Sequence, residues 1–290
     1  MNKYTGRQIA IFTDIHALLE PTVAILDDIR KRGIREIYSL GDSIGVGPNP
    51  SEVLDLLIEN NVKMINGNSE DYVIIGIAPF GYVCFNPTKV ASHKWTLSRL
   101  RPDQIAMLKG NLHSYDLKIG GMNIGLCHFA NDVRIDFGEH STWSYQSSIN
   151  NGIEDPQRQF YYTNSDIQKE EIEAFSQVHL PKYESYRSAK KDPLFGGKTI
   201  DAYDEIIQGH VHFKFLTEDE KVKIRTIRAL GMAYKNDPID YASYIIIREK
   251  EIGYDVEEIL VPFNRDLMLK SIDDSTMPDK SKINRFVSRR

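Results

Sequence analysis

The chain has 290 residues and a formal net charge of −5, from 36 Lys and Arg against 41 Asp and Glu. Hydrophobic residues make up 41% and charged residues 27%, a balance typical of a globular protein with an apolar core rather than of a disordered chain. The net negative charge argues against general nucleic-acid binding, although bound metal ions could still attract phosphate esters. No apolar run approaches the roughly 20 residues of a membrane span, so we expect no membrane partner.

The two cysteines, Cys84 and Cys127, are too few for a disulfide framework and are not spaced as a metal knuckle. The first residues also lack the apolar segment and small-residue cleavage site of a signal peptide. These features predict a cytoplasmic protein with reduced thiols.

The first quarter of the chain repeats one pattern three times. Short apolar runs at 8–13, 36–40 and 62–65 predict strands, and each run is followed by polar residues. Between them we predict a helix from Pro21 to Gly33 and a second helix capped by Ser51. This alternation predicts a parallel sheet with right-handed crossovers, in which side chains at the carboxyl ends of the strands share one edge.

The remaining chain is less regular. We predict a helix over 95–108 that restarts at Pro102, and a hairpin of strands at 115–119 and 122–127. Further strands are predicted at 205–208, 221–229, 242–248 and 254–261, and two short helices at the end. From 131 to 203 the sequence is aromatic, polar and poorly periodic, with one fair helix over 167–180. We therefore expect a single domain over 1–290, with an insertion at about 131–203 that covers the polar edge as a lid. The insertion follows the strand that ends at His128 and precedes the strand that ends at His210, so we expect both its ends to lie at that edge.

Seven polar side chains occur in five segments, each just beyond a predicted strand. Asp-x-His and His-x-His place two side chains on the same side of an extended backbone, because strands have a period of two. A single such pair is weak evidence, but five segments in one order are hard to obtain by chance. The predicted metal ligands are Asp14, His16, Asp42, Asn68, His128, His210 and His212.

Carboxylate, amide and imidazole ligands form a mixed oxygen and nitrogen set. Such a set suits manganese, iron, zinc, cobalt or nickel better than calcium or a thiolate-preferring ion. Seven ligands are too many for one tetrahedral site and are a natural number for two ions that share a bridging carboxylate. The other four histidines, His93, His113, His140 and His179, are interpreted as surface or packing residues.

The order Asp-x-His, Gly-Asp, Gly-Asn, His, Gly-His-x-His resembles the calcineurin-like metallophosphoesterases. It is most similar to their small bacterial and archaeal phosphoesterase branch, in which the second motif continues much as Gly41–Pro50 does here. The resemblance implies a four-layer α/β/β/α sandwich and two divalent or trivalent transition-metal ions, manganese first. It implies that Asp14, His16, Asp42 and His212 bind one ion. Asp42, Asn68, His128 and His210 would bind the other, with catalytic roles for Asp42, Asn68 and His128.

Two positions depart from the pattern of the family. Many members carry a histidine after Gly-Asn, where it is thought to protonate the leaving group, and here Ser69 occupies that position. The segment Arg228–Met232 stands where the branch usually has an Asn-Pro-Gly-Ser-like loop. The first departure predicts a preference for substrates with good leaving groups, because serine is no general acid near neutral pH.

The resemblance implies a binuclear metal-dependent phosphohydrolase, a phosphodiesterase or phosphatase that acts through a hydroxide bridging the two metals. Its substrate would be a phosphorylated small molecule or a nucleotide. A dinucleoside polyphosphate hydrolase and a protein phosphatase are alternatives within the enzyme class, and a metal-free scaffold of the same fold is the alternative outside it. We further expect Glu70, Asp71 and Asp204 to hold ligating imidazoles in place.

Overall fold

The computed structural model describes residues 3–74, 87–112, 114–128, 202–210, 212–217, 222–232, 238–281 and 283–284. The strands in these ranges are β1 Tyr4–Phe12, β2 Glu36–Ser39, β3 Lys63–Met64, β4 Ser114–Ile119, β5 Met122–Cys127, β6 Glu205–Gln208, β7 Phe215–Thr217, β8 Lys223–Thr226, β9 Tyr241–Lys250 and β10 Tyr254–Pro262. The helices in these ranges are α1 Leu19–Lys31, α2 Pro50–Glu59, α3 Asn68–Ile74, α4 Pro87–Arg99, α5 Pro102–Gly110 and α6 Arg265–Asp274.

The first sheet has the strand order β10-β9-β1-β2-β3. β1, β2 and β3 run parallel, as the repeated strand–helix pattern predicts, whereas β9 joins the other side of β1 in the antiparallel direction. The three parallel strands therefore end at one edge of the sheet. The polar segments that follow them begin there.

Alternate residues of β1 enter two different cores. Ala10 and Phe12 pack in the core beneath the helices, which includes Ile25 and Ile29 of α1. Ile9 and Ile11 point to the opposite face, where they pack against residues of the second sheet such as Leu126. Burial on both faces explains why β1 is almost continuously apolar where it crosses the centre of the molecule.

The second sheet has the order β4-β5-β6-β8-β7 and packs against the first through the shared core. The predicted hairpin is confirmed as β4 and β5, which pair along their whole length. The chain thus has the mixed α/β architecture that the sequence predicts, with two mixed sheets and a layer of helices.

One geometric expectation about the insertion is wrong. The sequence suggests that the insertion leaves and returns at the same edge, next to His128 and His210. Instead, β5 and β6 are parallel neighbours, and Glu205 at the start of β6 lies beside Ile124 rather than beside His128. The connection therefore leaves from the carboxyl end of β5, where the polar side chains lie, and returns at the amino end of β6, on the opposite side of the sheet along the strand direction. The predicted helix 167–180 and almost all of the insertion lie outside the described residues.

Several element boundaries differ from the prediction. Asn49, not Ser51, is the N-cap residue of α2, because Pro50 takes the first helical position. The Ser51 hydroxyl instead donates to Gln104 Oε1 at 3.0 Å and links α2 to α5.

Other helices also begin and end differently. α1 begins at Leu19, two residues before Pro21. The predicted helix over 95–108 is two helices, α4 and α5, separated before Pro102.

In the second half of the chain, β6 has the predicted bounds, and β9 and β10 lie where the sequence places them. The strand predicted at 221–229 is shorter, as β8, and its edge partner β7 is not predicted. α6 is followed by a second helical stretch at 281 and 283–284. Among the described helices, none combines the length and apolar character needed to cross a bilayer.

Candidate metal centre

The ends of five strands bring all seven predicted ligands together. His16 Nε2 lies 3.1 Å from His212 Nε2 and 3.8 Å from an oxygen of Asp42. On the other side, His128 Nε2 lies 3.1 Å from both Asn68 Oδ1 and His210 Nδ1. Residues nearly 200 positions apart in sequence thus present their donor atoms to one small volume.

Asp14 is held at the centre by one of its two oxygens. Its Oδ2 accepts hydrogen bonds from the Thr13 hydroxyl at 2.9 Å and from the His210 backbone N–H at 2.8 Å. Its Oδ1 is buried and lies 3.4 Å from His212 Nε2, at the long limit of a hydrogen bond. A buried carboxylate oxygen with so little hydrogen bonding is costly, so a cation bound next to this atom would stabilise it.

Asp42 is fixed by the segment that follows β3. Its Oδ1 accepts the Ser69 N–H at 2.7 Å, and the Ser69 hydroxyl bonds the same carboxylate. The Asp42 side chain is 4% exposed and lies between His16 and His128. Its position between the two histidine groups is the one expected of a bridging ligand.

His128 is oriented by a backbone carbonyl. Its Nδ1 lies 2.8 Å from the carbonyl oxygen of Leu40, so Nδ1 carries the proton and Nε2 faces the site. The nearest atom of Asp42 to this Nε2 is Oδ1, at 3.5 Å. Ligating histidines are commonly oriented by such a bond to the nitrogen that does not bind the metal.

The backbone at these positions is unusual. Five of the seven residues have positive φ values: Asp14 at 52°, His16 at 51°, Asp42 at 52°, His210 at 74° and His212 at 67°. Asp, Asn and His tolerate this left-handed region better than other non-glycine residues, but it is still sparsely populated. Such conformations are concentrated at functional sites, where the surrounding structure holds them in place.

Gly209 allows two strand ends to touch. A Cβ atom at Gly209 would lie 2.0 Å from Thr13 Oγ1 and 2.6 Å from Asp14 Oδ2. Only glycine leaves the space in which His210 N–H reaches the Asp14 carboxylate. This close approach connects the two sheets directly at the site.

The ionisable groups of the site interact strongly. Burial alone would raise the pKa of Asp14, but the imidazoles of His212, His128 and His16 outweigh burial and lower it. Burial raises the pKa of Asp42, and the neighbouring Asp14 charge adds to that rise. Two carboxylates that repel each other in a buried site gain from a multivalent cation between them.

The residues present therefore fit a metal centre, on the evidence of the buried Asp14 oxygen and of the donor set. Two groups of ligand atoms are close enough together to hold an ion: one comprises Asp14, His16 and His212, and the other Asp14, Asp42 and His128. Asn68, His210 and His212 are partly exposed, whereas Asp14 and Asp42 are buried. The site is consequently open on the side of the partly exposed residues.

Two of the three expected positioning groups, Glu70 and Asp204, bond other partners. Glu70 does not hold an imidazole: its oxygens accept four backbone N–H groups, including those of Asp42 and Gly67. Asp204 accepts the Asn123 N–H at the far end of β6. The Leu40 carbonyl and the Thr13 hydroxyl were missed, and no sequence signal marks a backbone carbonyl as a partner.

Comparison with known proteins gives one match in sequence and many in structure. No protein-family profile matches the chain. Uncharacterized protein MJ0912 of Methanocaldococcus jannaschii is 36% identical over 100 residues, which is 34% of this chain and 40% of that protein. The matched region thus spans well under half of that relative.

Two solved structures match nearly the whole chain. One is hypothetical protein PH1004 from Pyrococcus horikoshii OT3, with a TM-score of 0.60, 13% identity and coverage of 97% of both chains. The other is a metallophosphoesterase from Sphaerobacter thermophilus, with a TM-score of 0.60, 19% identity and coverage of 97% of this chain and 98% of that one. At these identities the likeness concerns the fold. The chain thus has the same fold as the Sphaerobacter thermophilus metallophosphoesterase.

Proposed function

We propose that this chain is a metal-dependent phosphohydrolase that uses two metal ions, with manganese as the first candidate. The observation that carries the proposal is that seven oxygen- and nitrogen-bearing side chains meet at the ends of five strands, with the buried Oδ1 of Asp14 among them. A protein with this fold from Sphaerobacter thermophilus is itself named a metallophosphoesterase, which supports the assignment.

Asp14, His16, Asp42 and His212 would hold one ion, and Asp42, Asn68, His128 and His210 the other. Ions bound there would neutralise phosphate oxygens and supply Lewis acidity to a water molecule. The described residues contribute orientation: Leu40 fixes the His128 tautomer, and Ser69 and Thr13 fix the two carboxylates. The partly exposed Asn68, His210 and His212 leave room for a phosphate group on one side.

The Ser69 side chain offers no proton to a leaving group. It is 3% exposed, and its hydroxyl already bonds the Asp42 carboxylate. A missing general acid typically lowers the rate by a factor of roughly 10² to 10⁴ for substrates that need one. We therefore propose aryl phosphodiesters, phosphoanhydrides and nucleotide-linked esters as the preferred class, ahead of alkyl phosphates.

The test is turnover by protein stripped of metal with a chelator and then reloaded with Mn²⁺. Substrates would be bis-p-nitrophenyl phosphate, p-nitrophenyl phosphate, a diadenosine polyphosphate and a phosphopeptide, with metal content measured on the same samples. We expect two bound ions and hydrolysis only after reloading. The substrate with the highest kcat/KM should be one of the first three and not the phosphopeptide. A preference for the phosphopeptide would favour a protein phosphatase. Binding of no metal, with no turnover, would favour a scaffold.

A further inference from the structure

The carboxylate of Glu70 is shared between two segments of the site. Its Oε2 accepts the backbone N–H groups of Asp42 at 2.9 Å and Gly67 at 2.8 Å. Its Oε1 accepts those of Ser43 at 2.6 Å and Ile44 at 3.1 Å. Glu70 is 1% exposed, so these four N–H groups have little access to water as an alternative partner.

The two segments bonded by Glu70 are in direct contact. A Cβ atom at Gly41 would lie only 2.5 Å from the Gly67 backbone nitrogen. Several N–H dipoles point at one buried volume there, and they would repel each other without an anion among them. A carboxylate accepting charge-assisted hydrogen bonds is the group that satisfies them.

These segments carry specific members of the proposed ligand set. Asp42 follows β2, and Asn68, the first residue of α3, directly follows Gly67. Asp14 and His16 instead follow β1, and His212 follows β6. Glu70 therefore acts directly on the backbone of Asp42, which belongs to both proposed sets, and on Gly67. Gly67 is joined to Asn68, which belongs only to the set with His128 and His210, so the effect of Glu70 on that set is the larger one.

We propose that Glu70 is a positioning residue that sets the separation of Asp42 and Asn68, and thereby selectively supports the ion held with His128 and His210. This inference rests on the proposed function. It predicts that loss of the Glu70 carboxylate weakens binding of one ion much more than of the other. A purely structural role would instead lower overall stability and leave the ratio of the two affinities unchanged.

The substitution Glu70→Gln isolates this role. Glutamine has nearly the same shape, but one acceptor oxygen becomes an NH₂ donor, and in either orientation it faces two backbone N–H groups. We expect affinity for the ion held with His128 and His210 to fall by roughly 10–100-fold, the usual effect of losing a group that orients a ligand. Glu70→Asp keeps both oxygens and should recover part of the affinity.

Glu205→Gln is the matched control. Glu205 is also buried, at 2% exposed, and its carboxylate bonds Arg225 and Tyr254 at the start of β6, away from the ligands. Stripped protein would be titrated with Mn²⁺ by calorimetry, with bound metal counted by mass spectrometry and the fold followed by circular dichroism. We expect Glu205→Gln to lose thermal stability and keep both ions.

The outcomes separate this inference from the proposed function. A parent protein that binds no metal would overturn both. A parent that binds two ions, beside a folded Glu70→Gln variant with both affinities unchanged, would overturn only the role of Glu70. If Glu70→Gln does not fold, Glu70→Asp decides. Selective weakening of one ion supports the proposal, whereas unchanged or equally weakened binding, or the same loss in Glu205→Gln, overturns it.

Discussion

Asp42 combines a buried charge with contacts that do not depend on that charge. Its carboxylate lies between His16 and His128, and its Oδ1 accepts the Ser69 N–H. An asparagine at this position could still accept that hydrogen bond through its carbonyl oxygen. The charge at residue 42 can therefore be removed while most of the local structure is kept.

The substitution Asp42→Asn should abolish phosphohydrolase activity and lower the metal content, because one carboxylate serves both proposed ions. Elemental analysis and turnover of bis-p-nitrophenyl phosphate would measure the two effects. The exposed Asp103→Asn is the control for the change from carboxylate to amide, and it should match the parent. Two bound metals with near-normal turnover in Asp42→Asn would contradict the bridging assignment.

The Ser69→His substitution tests the missing general acid. A histidine should raise the rate mainly for alkyl phosphates, since nitrophenolate leaves without protonation. Ser69 is buried and its Cβ packs at Gly45, so the larger ring should also cost about 1–3 kcal/mol of stability. The ratio of alkyl to nitrophenyl turnover is the measurement, and Ser69→Ala is the control without a ring. An unchanged ratio would mean that another residue donates the proton.

At the scale of the elements, the contact between the ends of β1 and β6 depends on Gly209. The substitution Gly209→Ala would place a methyl group in contact with Thr13 and Asp14, and the strand ends would have to separate. We expect a loss of about 1–3 kcal/mol in the free energy of unfolding together with reduced metal content. Urea unfolding and elemental analysis would measure the two effects.

Gly110→Ala is the matched control for Gly209→Ala. A Cβ at Gly110, the last residue of α5, would have no heavy atom within 4 Å. This variant should keep the parent's metal content and stability. If both glycine variants behaved alike, the close approach at Gly209 would have no special importance for the site.

The positions of the elements could be predicted where the pattern of apolar residues is local. β6 and the hairpin of β4 and β5 match because their apolar runs are bounded by glycine or polar residues. β7 was not predicted, because a strand of three residues is too short to show a recognisable alternation of apolar and polar residues. Asn49 was not predicted as the N-cap of α2, because Asn and Ser are both common N-cap residues and Ser51 is also suitable. The structure decides between them, since Pro50 is the first residue of the helix.

The sequence could predict that the proposed ligands meet, because the carboxyl ends of parallel strands lie at one edge of a sheet. It could not predict the hydrogen bonds that hold these ligands in place. The four amides that Glu70 accepts belong to segments whose approach depends on Gly41 and Gly67 packing together, which is a property of the folded sheet. Likewise, the return of the insertion at Glu205 follows from the parallel pairing of β5 and β6, which the sequence pattern does not predict.

At the scale of the whole molecule, the insertion at about 131–203 remains predicted as a lid that helps select the substrate. Only Ala202 and Tyr203 of it belong to the described residues. The last described residue before it, His128, lies at the site. Its cations and aromatics could bind phosphate oxygens and stack on a base.

Replacing residues 135–197 with a flexible Gly/Ser linker tests this role. The linker needs at least about a dozen residues, since it must connect two parallel neighbouring strands. We expect the variant to bind both ions and hydrolyse bis-p-nitrophenyl phosphate, while kcat/KM for the diadenosine polyphosphate falls by at least about tenfold. An unchanged ranking of the two substrates would contradict the lid.

The central position of β1 has a consequence for the order of folding. β1 pairs on one side with β2, which follows it closely in the chain, and on the other with β9, at residues 241–250. A ribosome must therefore complete most of the chain before the second edge of β1 is covered. Until then the unpaired edge can associate with other chains. Truncation before residue 241 should consequently yield aggregates rather than a smaller folded protein.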